Sequence, residues 1–417
     1  MIKIEKIIPG GQALGTYEDG RKIFFWNALP GEIVTEYEIS KQKSHYLEAI
    51  ATKIESPSPF RVESKDECYL STSPWQIINY DYELKLKSEL VQEIFREHHI
   101  DINTPQIYTD GKDYFYRNKM EYSLYWDIET AKILPAFRHR GSHRKLPITK
   151  SSIERPEIFA RATEIIDELN FRHEEARKYQ SLLLRCDQSG KVSGGLYENH
   201  QPHPNFTPLT DTILGRTYSY SPNGFFQINL PVYEMALTEI KKHISTDKVL
   251  DLYAGVGTIG LSVARDRDLT LVEVDKSAYR ELVNNVSEHG TITSSERSLA
   301  PVVTGLGRSV NGPSPFILPR SNNAILRTVL ARSEEALEYI DFDQIVILDP
   351  PRSGCDKKLI DRLLEIQPVK IVYLSCNPAT QARDIALLLE KYHIDDVKTF
   401  NFFPHTPHIE NLVILSL

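Results

Sequence analysis

The rhythm of apolar and polar positions changes twice along the chain. Residues 1–55 carry short apolar stretches broken by Gly and Pro: Ile7-Ile-Pro-Gly-Gly, the turn signal Glu18-Asp-Gly-Arg, an apolar run from Lys22 to Trp26, the turn Leu29-Pro-Gly-Glu, then Ile33-Val-Thr-Glu-Tyr-Glu-Ile. Closely spaced short strands with this punctuation predict a small five-stranded barrel. Ser56-Pro-Ser-Pro reads as a linker. Over 83–98, Leu84, Leu86, Leu90, Val91, Ile94 and Phe95 fall mostly on one helical face, which predicts an amphipathic helix. Region 105–220 reads as α+β, with a strand-like alternation from Arg117, a helix over 156–170 and a strand over 181–187 that carries Cys186.

From residue 221 on, apolar runs alternate with helical patterns. Strands are predicted over 248–253, 269–274, 344–349, 369–374 and 412–417, and helices near Thr258, over 277–288 and over 380–392. Strand–helix alternation implies a mostly parallel, doubly wound sheet. Residues 291–323, rich in Ser, Gly, Pro and Asn, read as a surface insertion. Three domains are therefore expected: the barrel at 1–55, a central α+β domain at 56–220 and an α/β domain at 221–417. The helix at 80–100 is expected against the last of these.

Composition places the chain among soluble globular proteins, with 41% hydrophobic and 25% charged residues in 417. No apolar run is long enough to span a bilayer, and Met1-Ile-Lys-Ile-Glu-Lys lacks the layout of a signal peptide. A cytoplasmic location away from membranes is expected. Four widely spaced cysteines argue for a reducing compartment, without disulfides or a Cys-based zinc site. The net charge of -8 does not advertise nucleic-acid binding. One local stripe does: Arg138, Arg140, Arg144 and Lys145, interleaved with His139 and His143, read either as a solvated hairpin face or as a phosphate-contacting surface.

Candidate chemistry concentrates in the C-terminal half. Asp251-Leu-Tyr-Ala-Gly255-Val-Gly257-Thr-Ile-Gly260 follows a strand and opens a helix, and Glu273 ends the next strand. The glycines suit close backbone approach to a cofactor, either a dinucleotide or S-adenosylmethionine. The acidic Asp251 inside the first strand, and the rigid Asp349-Pro-Pro turn at the end of another, favour the methyl donor. Cys376 falls between a strand end and a helix start. That position exposes a thiol at the ligand-binding edge of the sheet and favours the thiolate.

Four collinear motifs then point to a family. Phe225-Phe-Gln-Ile-Asn229, Asp349-Pro-Pro-Arg-Ser-Gly, Ser375-Cys-Asn-Pro-Ala-Thr with Arg383-Asp384, and Phe403-Pro-His-Thr-Pro-His-Ile-Glu410 together resemble the RNA uracil-C5 methyltransferases, which form 5-methyluridine in tRNA or ribosomal RNA. The barrel resembles the OB-type TRAM domain of the ribosomal members, and Tyr116-Arg-Asn-Lys-Met-Glu-Tyr resembles their central domain. The resemblance implies a C-terminal class I, Rossmann-like methyltransferase domain that uses S-adenosylmethionine, acting as a monomer on RNA.

Carried onto this sequence, the resemblance makes Cys376 the nucleophile at uracil C6, Glu410 the base for the C5 proton and Asp349 the partner of the uracil edge. Gln227, Tyr253, Gly255, Gly257, Thr258, Glu273 and Ser333 match cofactor-contacting positions. Phe225 and Arg352 match substrate-side positions, to which Arg138, Arg140, Arg144 and Lys145 add the basic surface. His405 and His408 are read as shaping the loop before Glu410, with no metal. Many ribosomal members hold an iron–sulfur cluster on a Cys-x5-Cys-x2-Cys run. Here Leu70 and Ser73 replace its last two ligands and Cys68 stands alone, so no cluster is expected. The barrel favours ribosomal RNA and the missing cluster favours tRNA; 23S ribosomal RNA is the expected substrate, with tRNA as the alternative. Two other readings remain at this point. A dinucleotide-dependent oxidoreductase leaves Cys376 and Glu410 without roles, and a non-catalytic RNA-binding protein is at odds with an intact Cys376, Glu410 and Asp349.

Overall fold

The computed structural model describes residues 1–199, 201–202, 206–289, 315–319 and 324–417. By contacts the chain divides into two compact units: Met1–Glu93, Thr109–Thr207 and Asn401–Ile409 form the first, and Ile94–Tyr108, Pro208–Phe400 and Glu410–Leu417 the second.

In the first unit, β1 (Ile2–Ile7), β2 (Ala13–Thr16), β3 (Lys22–Trp26), β4 (Ile33–Gln42) and β5 (Tyr46–Ser56) close into a barrel in the order β1-β2-β3-β5-β4. Alternation drives the closure: Ile2, Ile4, Ile23 and Phe25 turn inward, with Lys3 exposed between the first two and Phe24 half-buried between the others. A short α1 (Tyr69–Thr72) and the long α2 (Tyr80–Glu97) follow; α2 runs on past Glu93 into residues of the second unit, to which β6 (Gln106–Tyr108) also belongs. A six-stranded antiparallel sheet completes the first unit. It contains β7 (Lys119–Asp127), β8 (Lys132–Arg138), β9 (Lys145–Pro147), β10 (Ser181–Cys186), β11 (Val192–Glu198) and β12 (Gln201–Pro202), and α3 (Pro156–Phe171) packs on β8 and β10. Proline at the first position of α3 suits the unbonded amides there, and Ile158, Ala162, Ile166 and Leu169 form its buried stripe.

Segment Asn401–Ile409 is tied into this unit through α2. Glu83 and Lys87, one helical turn apart, are fully buried and paired at 2.8 Å. Lys87 Nζ donates to Asn401 Oδ1 at 2.6 Å and to the Phe403 carbonyl at 3.0 Å, while Glu83 accepts from the His405 amide. The inward face of α2 therefore carries an ion pair besides the apolar stripe read from its sequence.

The second unit opens with the hairpin β13 (Leu209–Ile213) and β14 (Arg216–Tyr220) and with α4 (Leu230–Lys242). Its nine-stranded sheet adds β15 (Lys248–Leu252), β16 (Asp268–Glu273), β17 (Phe316–Pro319), β18 (Ile325–Leu330), β19 (Gln344–Leu348), β20 (Lys370–Ser375), β21 (His393–Phe400) and β22 (Glu410–Ser416), in the order β17-β18-β16-β15-β19-β20-β22-β21-β6. Strands β18, β16, β15, β19 and β20 are mutually parallel, and β22 runs against them between β20 and β21. The connections carry α5 (Thr258–Val263), α6 (Lys276–His289), α7 (Lys357–Ile366) and α8 (Pro378–Leu388). Continuous burial of β19 and near-continuous burial of β20 and β22 is what a sheet covered on both faces requires.

The expected fold class is the one observed: an α/β sheet domain with an N-terminal closed barrel and an α+β region. Details differ. Helix α8 starts at Pro378, with Asn377 as its cap, and ends at Leu388, earlier at both ends than its periodicity suggested. Strand β17 lies within the insertion expected at 291–323, of which only 315–319 are among the described residues. Among the described residues no helix is long and apolar enough to cross a membrane.

Candidate active site

The glycine loop begins where β15 ends. Asp251 is fully buried in that strand; its Oδ2 accepts from the Gly260 amide at 2.8 Å, and its Oδ1 has no partner among the described groups. Burial pushes this carboxyl up to about 8, with Asp349 and Glu273 adding to the shift. The backbone then turns through left-handed conformations at Tyr253 (φ 68°), Gly255 (59°) and Gly257 (90°). The two glycines serve different ends. A Cβ on Gly257 would lie 2.6 Å from Leu282 Cδ1, so this glycine lets the loop pack down on α6, whereas one on Gly255 would meet nothing within 4 Å. Glu273, at the end of β16, holds the loop by accepting from the amides of Gly255 (2.7 Å) and Asp275 (2.6 Å). The Tyr253 hydroxyl bonds Ser333 and Cys355, and Thr258 opens α5. Tyr253, Gly255, Gly257, Thr258, Glu273 and Ser333 thus gather around one loop, and Gln227 is buried just ahead of α4 in the same unit.

A second cluster occupies the same edge of the sheet. Asp349 follows β19, Cys376 follows β20, and Glu410 begins β22. Leu348 pairs with Tyr373, and Ser375 with Asn411. Continuing that antiparallel register by one residue sets Cys376 opposite Glu410. Only a strand running against its neighbours can bring its first residue to the edge where the others end.

The three groups shape one another's ionisation. Burial lifts Asp349 to about 7. Burial and then Asp349 raise Glu410 well above the ordinary carboxyl range, with Arg352 opposing. The Cys376 thiol is pushed up to about 11, first by burial and then by Glu410 and Asp349, against a smaller pull from Arg352. This corrects the expectation that the adjacent helix start favours the thiolate: two nearby carboxylates and desolvation outweigh the α8 amides. Cys376 is nonetheless half-buried, while Cys68, Cys186 and Cys355 are buried. A half-buried thiol and two buried carboxyl groups therefore share one water-poor edge.

The substrate-side residues divide. Phe225 is 73% exposed, turned out by its neighbour Phe226, which stacks on Tyr220 at 4.0 Å between centroids. Arg352 is exposed, and its carbonyl accepts from Asn377 Nδ2 (2.8 Å) and Thr380 Oγ1 (3.2 Å). The basic stripe belongs to the first unit. There Arg138 and Arg144 are exposed, whereas Arg140 lies 4.2 Å over the Trp26 ring and donates to the Leu70 carbonyl, and Lys145 donates to the Leu124 carbonyl at 2.6 Å. In the same unit, His405 is buried beside Glu83 and Asp113. Cys68 is buried too, its thiol pushed up to about 12 by burial and by Asp66. The sequence reading assigned no role to Tyr373, Cys355 and Asp384, which bond to one another behind the site. The only signal for them was the quoted pair Arg383-Asp384.

Residues 327–417, which contain Asp349, Cys376 and Glu410, match the family model described as tRNA (Uracil-5-)-methyltransferase. An uncharacterized RNA methyltransferase of Lactobacillus johnsonii is 28% identical over 462 residues, covering 97% of this chain and 96% of its own. Another, of Enterococcus faecalis, is 28% identical over 478 residues, covering 100% and 97%. Over residues 327–417 the chain is similar to the RNA uracil-C5 methyltransferase family. Among solved structures, the Pyrococcus abyssi tRNA (uracil-54, C5)-methyltransferase in complex with S-adenosyl-L-homocysteine superposes with a TM-score of 0.72 at 23% identity, covering 100% of both chains. At that identity the likeness is one of fold, and it covers the whole chain.

Proposed function

We propose that this chain methylates C5 of a uridine in tRNA, using S-adenosylmethionine as donor. The observation that carries the reading is the convergence of Cys376, Glu410 and Asp349 at one sheet edge beside the glycine loop. The loop fits the donor. The space over Gly255 is open, and the buried Asp251 Oδ1 and the Glu273 carboxylate give it acceptors for a cationic or hydroxyl-bearing ligand. Tyr253, Gly255, Gly257, Thr258, Glu273, Ser333 and Gln227 would hold it. When bound, S-adenosylmethionine supplies an electrophilic methyl group to C5 and leaves as S-adenosylhomocysteine.

The chain's own residues make C5 nucleophilic. Cys376 first loses its thiol proton to solvent; the thiolate then adds its Sγ to C6 of the uracil, and the C5–C6 electron pair passes toward O4 as an enolate. Asp349 hydrogen-bonds the uracil edge and steadies that charge. After methylation, the Glu410 carboxylate removes the C5 proton, the C5=C6 bond re-forms, and Cys376 leaves as thiolate. Glu410 then returns the proton to solvent. Reaching a base within folded RNA requires flipping it out of its stack, for which exposed Phe225 offers an aromatic face and Arg138 and Arg144 offer phosphate contacts. We also place the enzyme in the cytoplasm, as a monomer.

The ribosomal RNA reading rests on the barrel. The fold shared with an archaeal protein named for tRNA covers the whole chain, so the barrel does not separate the two RNAs. The test offers unmodified tRNA and ribosomal RNA separately with labelled S-adenosylmethionine and digests the products to nucleosides. 5-Methyluridine in the tRNA pool is the expected result. The same product only in ribosomal RNA moves the substrate class. No product in either pool, without donor binding, overturns the reading.

A further inference from the structure

Behind the Asp349 turn lies a carboxylate that touches neither the glycine loop nor Cys376. Asp384, on the second turn of α8, is 1% exposed and fully bonded. Its Oδ2 accepts from the Cys355 amide and the Tyr373 hydroxyl, both at 2.8 Å; its Oδ1 accepts from Arg383 Nε at 2.9 Å and Nη2 at 2.7 Å. Arg383 Nη2 also donates to the Ser353 carbonyl at 3.0 Å. Gly354 passes so close that a Cβ there would lie 2.6 Å from both Arg383 Nη2 and Asp384 Oδ2, in a backbone conformation (φ 79°) that already favours glycine. At the other end of the turn, Asn377 and Thr380 grip the Arg352 carbonyl. The turn that bears Asp349 and Arg352 is therefore fastened, residue by residue, to the first turns of the helix that begins beside Cys376. From its far side, Cys355 reaches Tyr373 at 3.6 Å and bonds the hydroxyl of Tyr253 in the glycine loop.

From this geometry we infer that Asp384 is a positioning residue: through Arg383, Tyr373 and the Cys355 amide it sets the Asp349 turn against Cys376. The inference rests on the methyltransferase reading for its consequence but not for its test. A turn displaced by about 1 Å is enough to cost on the order of a hundredfold in rate. Asp384→Asn keeps the shape but presents a donor amide to groups that all donate, so the clamp must open. Tyr373→Phe removes one of its hydrogen bonds and keeps the fold within reach if the first variant does not purify.

The readout that a purely structural role would not move is the reactivity of Cys376 itself. Its thiol faces Glu410, Asp349 and Arg352, and Asp349 contributes more than Arg352. A loosened turn should shift the pH midpoint of Cys376 alkylation by iodoacetamide downward, in the direction of Asp349→Asn, while S-adenosylhomocysteine affinity holds even where lost buried hydrogen bonds lower the melting temperature. On active enzyme, kcat should fall about 10- to 100-fold with KM for RNA nearly unchanged. An unchanged alkylation midpoint in both variants overturns the inference, whatever the methylation assay reads. So does a midpoint that moves only together with loss of melting temperature and cofactor affinity. A parent enzyme that forms no 5-methyluridine overturns the methyltransferase reading alone, and the alkylation midpoint still decides the role of Asp384.

Discussion

Gly255 and Gly257 stand two residues apart with similar left-handed backbones, yet alanine should do opposite things to them. Either substitution places a side chain at positive φ, at a cost of about 1–2 kcal/mol. At Gly257 the new Cβ would also press to 2.6 Å from Leu282 Cδ1 and 2.8 Å from Leu261 Cδ1, both buried. Overpacking of that kind adds about 1–3 kcal/mol, so Gly257→Ala should lower the melting temperature well beyond Gly255→Ala. At Gly255 the Cβ meets no protein atom within 4 Å and instead enters the open space assigned to the donor. A clash of about 1–3 kcal/mol with the ligand corresponds to roughly 5- to 150-fold weaker binding. Calorimetric titration with S-adenosylhomocysteine, beside thermal unfolding of each variant, separates the two effects. Gly255→Ala should melt only a few degrees below the parent, well above Gly257→Ala, and bind poorly. If it bound within about twofold of the parent, the space over Gly255 would not be the donor site, and the assignment of this loop would fail.

Cys376→Ala should abolish methylation, whereas Glu410→Gln should accumulate a methylated protein–RNA adduct visible as a band resistant to denaturing electrophoresis; absence of that adduct would strip Glu410 of its role as base. In the first unit, Glu154 is fully buried with one carboxylate oxygen unpartnered, and burial pushes its carboxyl up to about 7 from 4.5. A raised folded pKa means stability present below about pH 4.5 and lost as pH rises through 7, so Glu154→Gln should be the more stable protein at pH 8, by up to about 3 kcal/mol, and should lose the advantage at pH 4. Denaturant unfolding at both pH values checks the sign. Arg138→Ala and Arg144→Ala should each weaken RNA binding and reduce its salt dependence by about one counterion, while Arg140→Ala, deprived of its contact with Trp26, should lower the melting temperature instead.

Strands whose burial is nearly uniform could be read directly. β19, β20 and β22 are rich in Ile, Val and Leu, and the ends of the first two placed Asp349 and Cys376 at one edge; Glu410 came only from the resemblance, because the last strand, expected at 412–417, starts two residues earlier. β21 was not legible. His393, Asp395, Asp396 and Lys398 suggest a solvated loop, yet Lys398 is held by Glu239 and Asp396, and His393 by Asp395, while the strand pairs along its length with β22. The Glu83–Lys87 pair has the i,i+4 spacing of an exposed helix face and is fully buried, because its partners Asn401 and His405 lie more than three hundred residues away in the chain. The basic stripe looked uniform and is not, since tertiary contacts with Trp26, Leu70 and Leu124 take two of its members out of solvent. The ionisation of Cys376 was misjudged for the same reason: its helix is local in sequence, while Glu410 and Asp349 are not.

The reversed last strand gives the candidate chemistry an unusual kind of vulnerability. Cys376 and Glu410 face each other across a ladder of six backbone pairs between β20 and β22, not across flexible loops. Side chains alternate along a strand, so a slip of a single residue in that ladder would turn Glu410 to the opposite face of the sheet while leaving every side chain in the protein unchanged. Apolar substitutions at 412–415, past Glu410, should therefore be absorbed as ordinary packing changes. The loss or gain of one residue anywhere in 411–416 should silence catalysis in a chain that can still bury its apolar strand.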